Sequence, residues 1–302
     1  MKNKFLLITI LLSGFLSTAQ QDAQFTQYMY NTININPAYA GSRGVMSIFA
    51  LHRTQWVGLD GAPVTNTASI NTPLNDSNLG LGVSIINDKI GPTDENTISA
   101  DLSYTVPTSE KFKLSFGLKA TANLFSLDIT KLNAVDSDPS IRDYNNKFTP
   151  NIGAGVYLHS DKAYVGFSIP NFIESNRYDD NEIAIFKEKI NYYLIAGYIF
   201  DLDYNLKFKP ALLTKLVAGA PLQVDLSGNF LFNDKFTVGV AYRWSAAVSA
   251  MVGFQISDGM YIGYGYDLET TKLARFNAGS HEVFLRYEIF KRNNKITTPR
   301  FF

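Results

Sequence analysis

The chain has 302 residues, 27 basic against 27 acidic side chains, a sequence pI near 6.8 and a mean hydropathy of -0.04. That balance excludes the basic surface nucleic acid demands and the acidic excess of a solvating tail. It also excludes a helical membrane bundle, but not a barrel, whose strands offer lipid only every second residue. With no cysteine, there are no disulfides, no thiolate metal sites, no thiol nucleophile and no lipidated N-terminus.

Lys2 and Lys4, the apolar run from Phe5 to Phe15 and the small-residue end Ser17-Thr18-Ala19 read as a secretory signal peptide over residues 1–19. No other apolar run approaches the length of a membrane-spanning helix. Residues 20–44 do not alternate. They carry Gln24-Phe25-Thr26-Gln27-Tyr28-Met29-Tyr30-Asn31 and then Asn36-Pro37-Ala38-Tyr39-Ala40-Gly41. Pro37 and Gly41 punctuate, which predicts an irregular, plug-like segment packing in or under whatever follows.

From residue 45 to residue 290 the chain alternates. The first strand runs from about Val45 to Val57 with an ambiguous register, because Ile48, Phe49 and Leu51 do not share a face. Val64–Leu74, Leu79–Ile85, Ile98–Val106 and Leu114–Leu124 follow, separated by Asn75–Asn78, Asp88–Glu95 and Pro107–Lys111. After a long polar loop, 128–149, come Ile152–Leu158 and Ala163–Ile169. A second long loop, 170–189, leads to Tyr192–Phe200, which is apolar on both sides, and then to Leu206–Leu216. Five strands of the same pattern fill Pro221–Phe290; in the third, Val248, Ala250, Val252, Phe254 and Ile256 oppose Ser249, Met251, Gly253 and Gln255. Successive side chains on a strand point to opposite faces, so each strand has one greasy and one small or polar face. Strands near ten residues suit a tilted bilayer crossing better than a soluble sandwich.

The expectation is an all-β fold: a transmembrane antiparallel β-barrel of about 14 strands over residues 45–290, an even number as in single-chain outer-membrane proteins. Alternate connections are all short, and the other set contains both long loops, which is the asymmetry between periplasmic turns and external loops. The 22 Phe and 17 Tyr then fit interfacial girdles as well as a core. Residues 291–302 form a periplasmic tail.

Polar side chains on the inner face line the lumen: Lys113, Lys119, Lys207, Lys209, Lys215, Asp225, Arg243, Asp267, Glu282 and Arg286, with Asp101 and Glu288. Either they grip a partner or they neutralise one another in a narrow tube. The glycines at alternating positions sit where the wall curves or where another segment of chain comes close. His52, His159 and His281 fall on separate strands with no companion at metal-ligand spacing, so no metal is expected. Gly153-Ala154-Gly155 and Gly263-Tyr264-Gly265 precede no helical pattern and make no dinucleotide loop. No cofactor and no catalytic residue are expected.

Several stretches resemble the PorP/SprF family. At the N-terminal side these are Gln24–Met29, Asn36-Pro37-Ala38-Tyr39-Ala40-Gly41-Ser42 and Gln55-Trp56-Val57-Gly58-Leu59-Asp60-Gly61-Ala62-Pro63, with Asn87–Thr93 after them. Asn229–Lys235, Gly253–Ile256, Tyr264–Asp267 and Gly279–Glu282 are similar to its C-terminal half. Asn36, Pro37, Tyr39, Gly41, Gln55, Trp56 and Gly58 are the positions carrying the N-terminal part of the likeness. The resemblance implies an outer-membrane component of the type IX secretion and gliding system, with no catalytic residues. It would help export and anchor a large adhesin-like cargo bearing a C-terminal signal domain, alongside periplasmic components of the machine. The alternative is a diffusion porin or small-ligand transporter.

Overall fold

The computed structural model describes residues 25–74, 77–131, 144–174 and 189–290. The expected signal peptide, the C-terminal tail and much of both long loops lie outside the described residues. The strands are β1 (Met46–Thr54), β2 (Val64–Pro73), β3 (Leu79–Ile90), β4 (Thr93–Pro107), β5 (Lys113–Leu127), β6 (Tyr144–His159), β7 (Ala163–Ile169), β8 (Asn191–Tyr198), β9 (Phe200–Asp203), β10 (Leu206–Val217), β11 (Gln223–Phe232), β12 (Phe236–Arg243), β13 (Ala247–Gln255), β14 (Met260–Glu269) and β15 (Ser280–Ile289).

Each strand pairs antiparallel with its neighbours, and β15 returns to β1, with Phe49 opposite Arg286 and Arg53 opposite Glu282. The result is a closed ring of fourteen strands. The fifteenth, β9, adds no member: it follows β8 after Ile199 and pairs only with the first residues of β10. Closure leaves no free edge and pairs the backbone groups within the wall, the condition for crossing hydrocarbon with strands.

Outward side chains establish the solvent. Leu118, Val240 and Ile152 are 64, 62 and 56 % exposed, and large apolar residues stand outward on strand after strand. Apolar exposure of that extent, wrapped round the ring, is stable only against lipid. Aromatic rings collect at the short-turn ends of β8–β12. There Tyr198 and Phe200 lie 4.6 Å apart, Phe208 and Phe230 4.7 Å, and Phe232 and Phe236 6.4 Å. Near the opposite ends of β1–β4 the outer face turns polar: His52 Nδ1 is 2.8 Å from Asn66 Oδ1, and Asn87 donates to Asp94 at 2.7 Å and to Asn96 at 2.9 Å. These two bands mark the boundaries of the apolar belt.

One set of connections is short throughout, with 199–205, which contains β9, the longest, while the opposite set contains 55–63, 128–143, 170–190 and 270–279. The expected loop over Asp88–Glu95 is a correction. Those residues belong to β3 and β4, paired to Ile90–Thr93 and turned at Gly91, whose φ of +54° suits glycine. The first strand's ambiguity also resolves. Ile48 faces outward, whereas Phe49 and Leu51 are buried inside the ring.

Candidate functional site

The inside of the barrel is occupied by residues 25–44. Three short 3₁₀ turns, Tyr28–Tyr30, Thr32–Asn34 and Pro37–Tyr39, carry side chains that are buried apart from the half-buried Asn34. Tyr28, Met29, Tyr30, Ile33 and Tyr39 form an apolar centre with inward residues of the wall, including Phe49, Tyr157, Ile195, Leu213, Tyr261 and Phe284. Tyr30 stacks on Phe284 at 4.8 Å, and Phe284 on Phe49 at 5.2 Å. This is why strands expected to be polar inside carry Phe49, Ile195 and Phe284 there: the segment replaces water with rings.

Local chemistry explains the motif residues of the segment. Asn36 caps the third turn, its Oδ1 accepting from Ala38 N at 3.0 Å, with Pro37 in the first helical position. The Asn36 amide also donates to Val156 O at 3.0 Å, tying the turn to β6. Four inward glycines make room for it. A Cβ on Gly80 would lie 2.3 Å from Ala40 O, on Gly82 2.3 Å from Ile33 Cδ1, on Gly117 2.1 Å from Ala38 N, and on Gly155 2.3 Å from Asn36 Oδ1. Gly41, at φ +70°, lets the chain turn out beneath Gly80 and Pro73.

Charge holds both ends. At the external end, Arg53 donates to Asp267 at 2.7 Å, to Glu282 at 3.1 Å and to Thr26 Oγ1 at 2.7 Å. Glu282 accepts from the backbone of Thr26 at 3.0 Å and of Gln27 at 2.9 Å. At the other end Arg43 pairs with Glu288 and donates to Tyr39 OH at 3.3 Å, with Arg286 Nε 3.6 Å from the same carboxylate. Between them Lys119 bridges Asp101 at 3.0 Å and Ile33 O at 3.3 Å.

The remaining lumen positions distribute themselves round the wall. Arg243 donates to Asp225 at 2.9 Å, and Lys207 to Asp234 at 2.6 Å. Lys209 lies over the Tyr30 ring at 5.4 Å and Lys215 over Tyr193 at 5.7 Å, both buried. Lys113 shares the inward register but stands exposed at the periplasmic rim. Sequence reasoning omitted Arg43 and Arg53, the two cations that anchor the segment. Arg53 lies in the strand of uncertain register, and Arg43 in a segment with no period.

The second motif ties two neighbouring external loops together. Gln55 N donates to Pro63 O at 2.9 Å, and Trp56, at φ +45°, donates through Nε1 to Glu269 at 2.9 Å. Val57 N donates to Gly279 O at 2.9 Å and Ala278 N to Val57 O at 2.8 Å, so the β1–β2 loop is stitched to the β14–β15 connection. Gly58 supplies φ +94°. No group of three metal-ligating side chains comes together among the described residues.

The family described as "Type IX secretion system membrane protein PorP/SprF" matches residues 17–287. The chain belongs to the PorP/SprF family. It is an outer-membrane β-barrel of the type IX secretion system. No functionally curated protein matches the sequence. Among solved structures, the barrel is similar to the Acinetobacter baumannii outer membrane protein Omp33, with 10 % identity over 81 % of this chain and 98 % of that one, at a TM-score of 0.49. It is also similar to the CymD monoaromatic hydrocarbon channel, with 13 % identity over 91 and 95 % at 0.49, and to the KdgM porin, with 12 % over 81 and 99 % at 0.38. Within this PorP/SprF chain, the family-like motifs Asn36–Gly41 and Gln55–Gly58 build the plug and the lateral brace of the mouth.

Proposed function

We propose that this PorP/SprF barrel is a non-enzymatic holder of secreted protein. It helps export, and retains at the cell surface, a large adhesin-like cargo with a type IX C-terminal signal domain, alongside periplasmic components of the secretion and gliding machine. The occupied lumen carries the reading. A tube whose axis is filled by its own chain, with charge pairs at both ends of the filling, offers a partner its external mouth and loops rather than a passage. Strand addition or insertion of the cargo's terminal domain at that mouth fits the polar inner rim of β10–β12.

A diffusion porin needs a continuous water path along the axis, and residues 25–44 lie across it.

Site-specific cross-linking tests the holder. Cysteine replaces Gln223, Arg243 or Leu59 at the external mouth and Lys113 at the opposite rim, in a chain that has no cysteine of its own. Adducts with a cargo bearing the C-terminal domain are expected at the first three positions and not at Lys113. If none of the external positions gives an adduct, the cargo is held elsewhere and the reading fails.

A further inference from the structure

The plug has a direction. Thr26 and Gln27 meet Arg53, Asp267 and Glu282. Each of these lies within three residues of its strand's external end: Thr54 of β1, Glu269 of β14 and Ser280 of β15. Ile33, Asn36 and Ala38 then lie against Gly82, Gly155 and Gly117, deeper in the wall. Arg43 pairs with Glu288, one residue from the periplasmic end of β15, and β1 starts there at Met46. The segment therefore descends the lumen from the external mouth to the periplasmic rim before the first strand climbs back.

We infer that the exported chain is threaded through its own barrel with its leading end outward: Phe25 and Thr26 lie at the cell-surface mouth and Arg43 at the periplasmic rim. Two features fix this polarity. The Glu282 carboxylate accepts from two successive backbone N–H groups, which holds the backbone, while Thr26 Oγ1 donates to Asp267 and accepts from Arg53. The glycine cradle receives the backbone at Ala38 and Ala40, the Asn36 cap and the Ile33 side chain, each at its own glycine of the wall. The leading end and the first strand thus emerge on opposite sides of the membrane. A partner entering from outside meets Phe25, Thr26 and Gln27 before any lumen residue below Asp267. This placement depends on which end of the barrel is external and not on the cargo role, so the two stand or fall separately.

Single cysteines in the cysteine-free chain report it. Asp22→Cys is labelled with a membrane-impermeant maleimide on intact cells, beside Ala274→Cys in the β14–β15 connection and Asp161→Cys in the β6–β7 turn. Asp22→Cys should react like Ala274→Cys, while Asp161→Cys reacts only after the outer membrane is permeabilised. An epitope inserted after Asp22, detected by antibody on intact cells, gives a second reading that does not depend on thiol reactivity. Reaction at Ala274→Cys with none at Asp22→Cys and no epitope signal overturns the threading. Reaction at Asp161→Cys on intact cells inverts the barrel and overturns it too. Cargo retention measured in the same strains reports on the holder role independently.

Discussion

Arg53 is the residue on which the external half of the plug converges. Its guanidinium lies between Asp267 and Glu282, all three almost fully buried. Removing one partner of such a group strands charge in a low-dielectric interior, at a cost of about 3–5 kcal/mol. Arg53→Met is therefore expected to lower the unfolding free energy, read from guanidinium titration in liposomes, by that order. Adding Asp267→Asn and Glu282→Gln, which removes the stranded charges and keeps amide acceptors, should recover part of the loss. A full loss in the triple variant would show that the geometry of the arginine fork, and not charge balance, is what counts. The glycines of the cradle act in the opposite sense: they stabilise by being absent side chains, as the 2.1 Å approach of a Cβ on Gly117 to Ala38 N makes plain.

At the scale of the element, each strand is a two-faced ribbon whose faces meet different solvents. On β13, Val252 points to lipid while Ser249 and Met251 point inward. A cation at Val252 would sit mid-strand in the apolar belt, and such substitutions cost about 2–4 kcal/mol near the bilayer midplane. Val252→Arg should accordingly lose that much folding free energy in liposomes, whereas Ser249→Arg, on the other face, should behave differently and be limited by space. Equal effects at both positions would contradict the assignment of faces. The β3–β4 hairpin shows how an element escapes sequence reading. Asn87, Asp88, Asp94 and Glu95 look like loop residues, yet they remain paired because Asn87 and Asn96 hydrogen-bond across the strands and Thr65 donates to Asp88 at 2.5 Å. Polar residues near the boundary of the apolar belt can continue a strand, since headgroups and water satisfy what hydrocarbon cannot.

For the whole molecule the question is whether the lumen conducts. With residues 25–44 seated, purified protein in a planar bilayer is expected to give no steady open current. Gly117→Val combined with Gly155→Val should expel the third turn and produce one; steady current from the unmodified protein would instead favour a porin. The wall itself was legible in the sequence: Val248 to Ile256 alternating against Ser249 to Gln255 is a local signal, and so is the sorting of turn lengths. Local period and turn chemistry report which face of a strand is greasy, and a closed ring of such strands has one stable solvent outside. A plug-like segment was legible from Pro37, Gly41 and the missing alternation, but its partners were not. Tyr28, Tyr30 and Ile33 have no period, and their partners Phe49, Ile195, Tyr261 and Phe284 stand on strands far apart in the chain. Only the closed structure decides that Thr26 lies beside Glu282, because burial inside a tube comes from wall strands meeting round a segment, a long-range relation that no window of neighbouring residues contains.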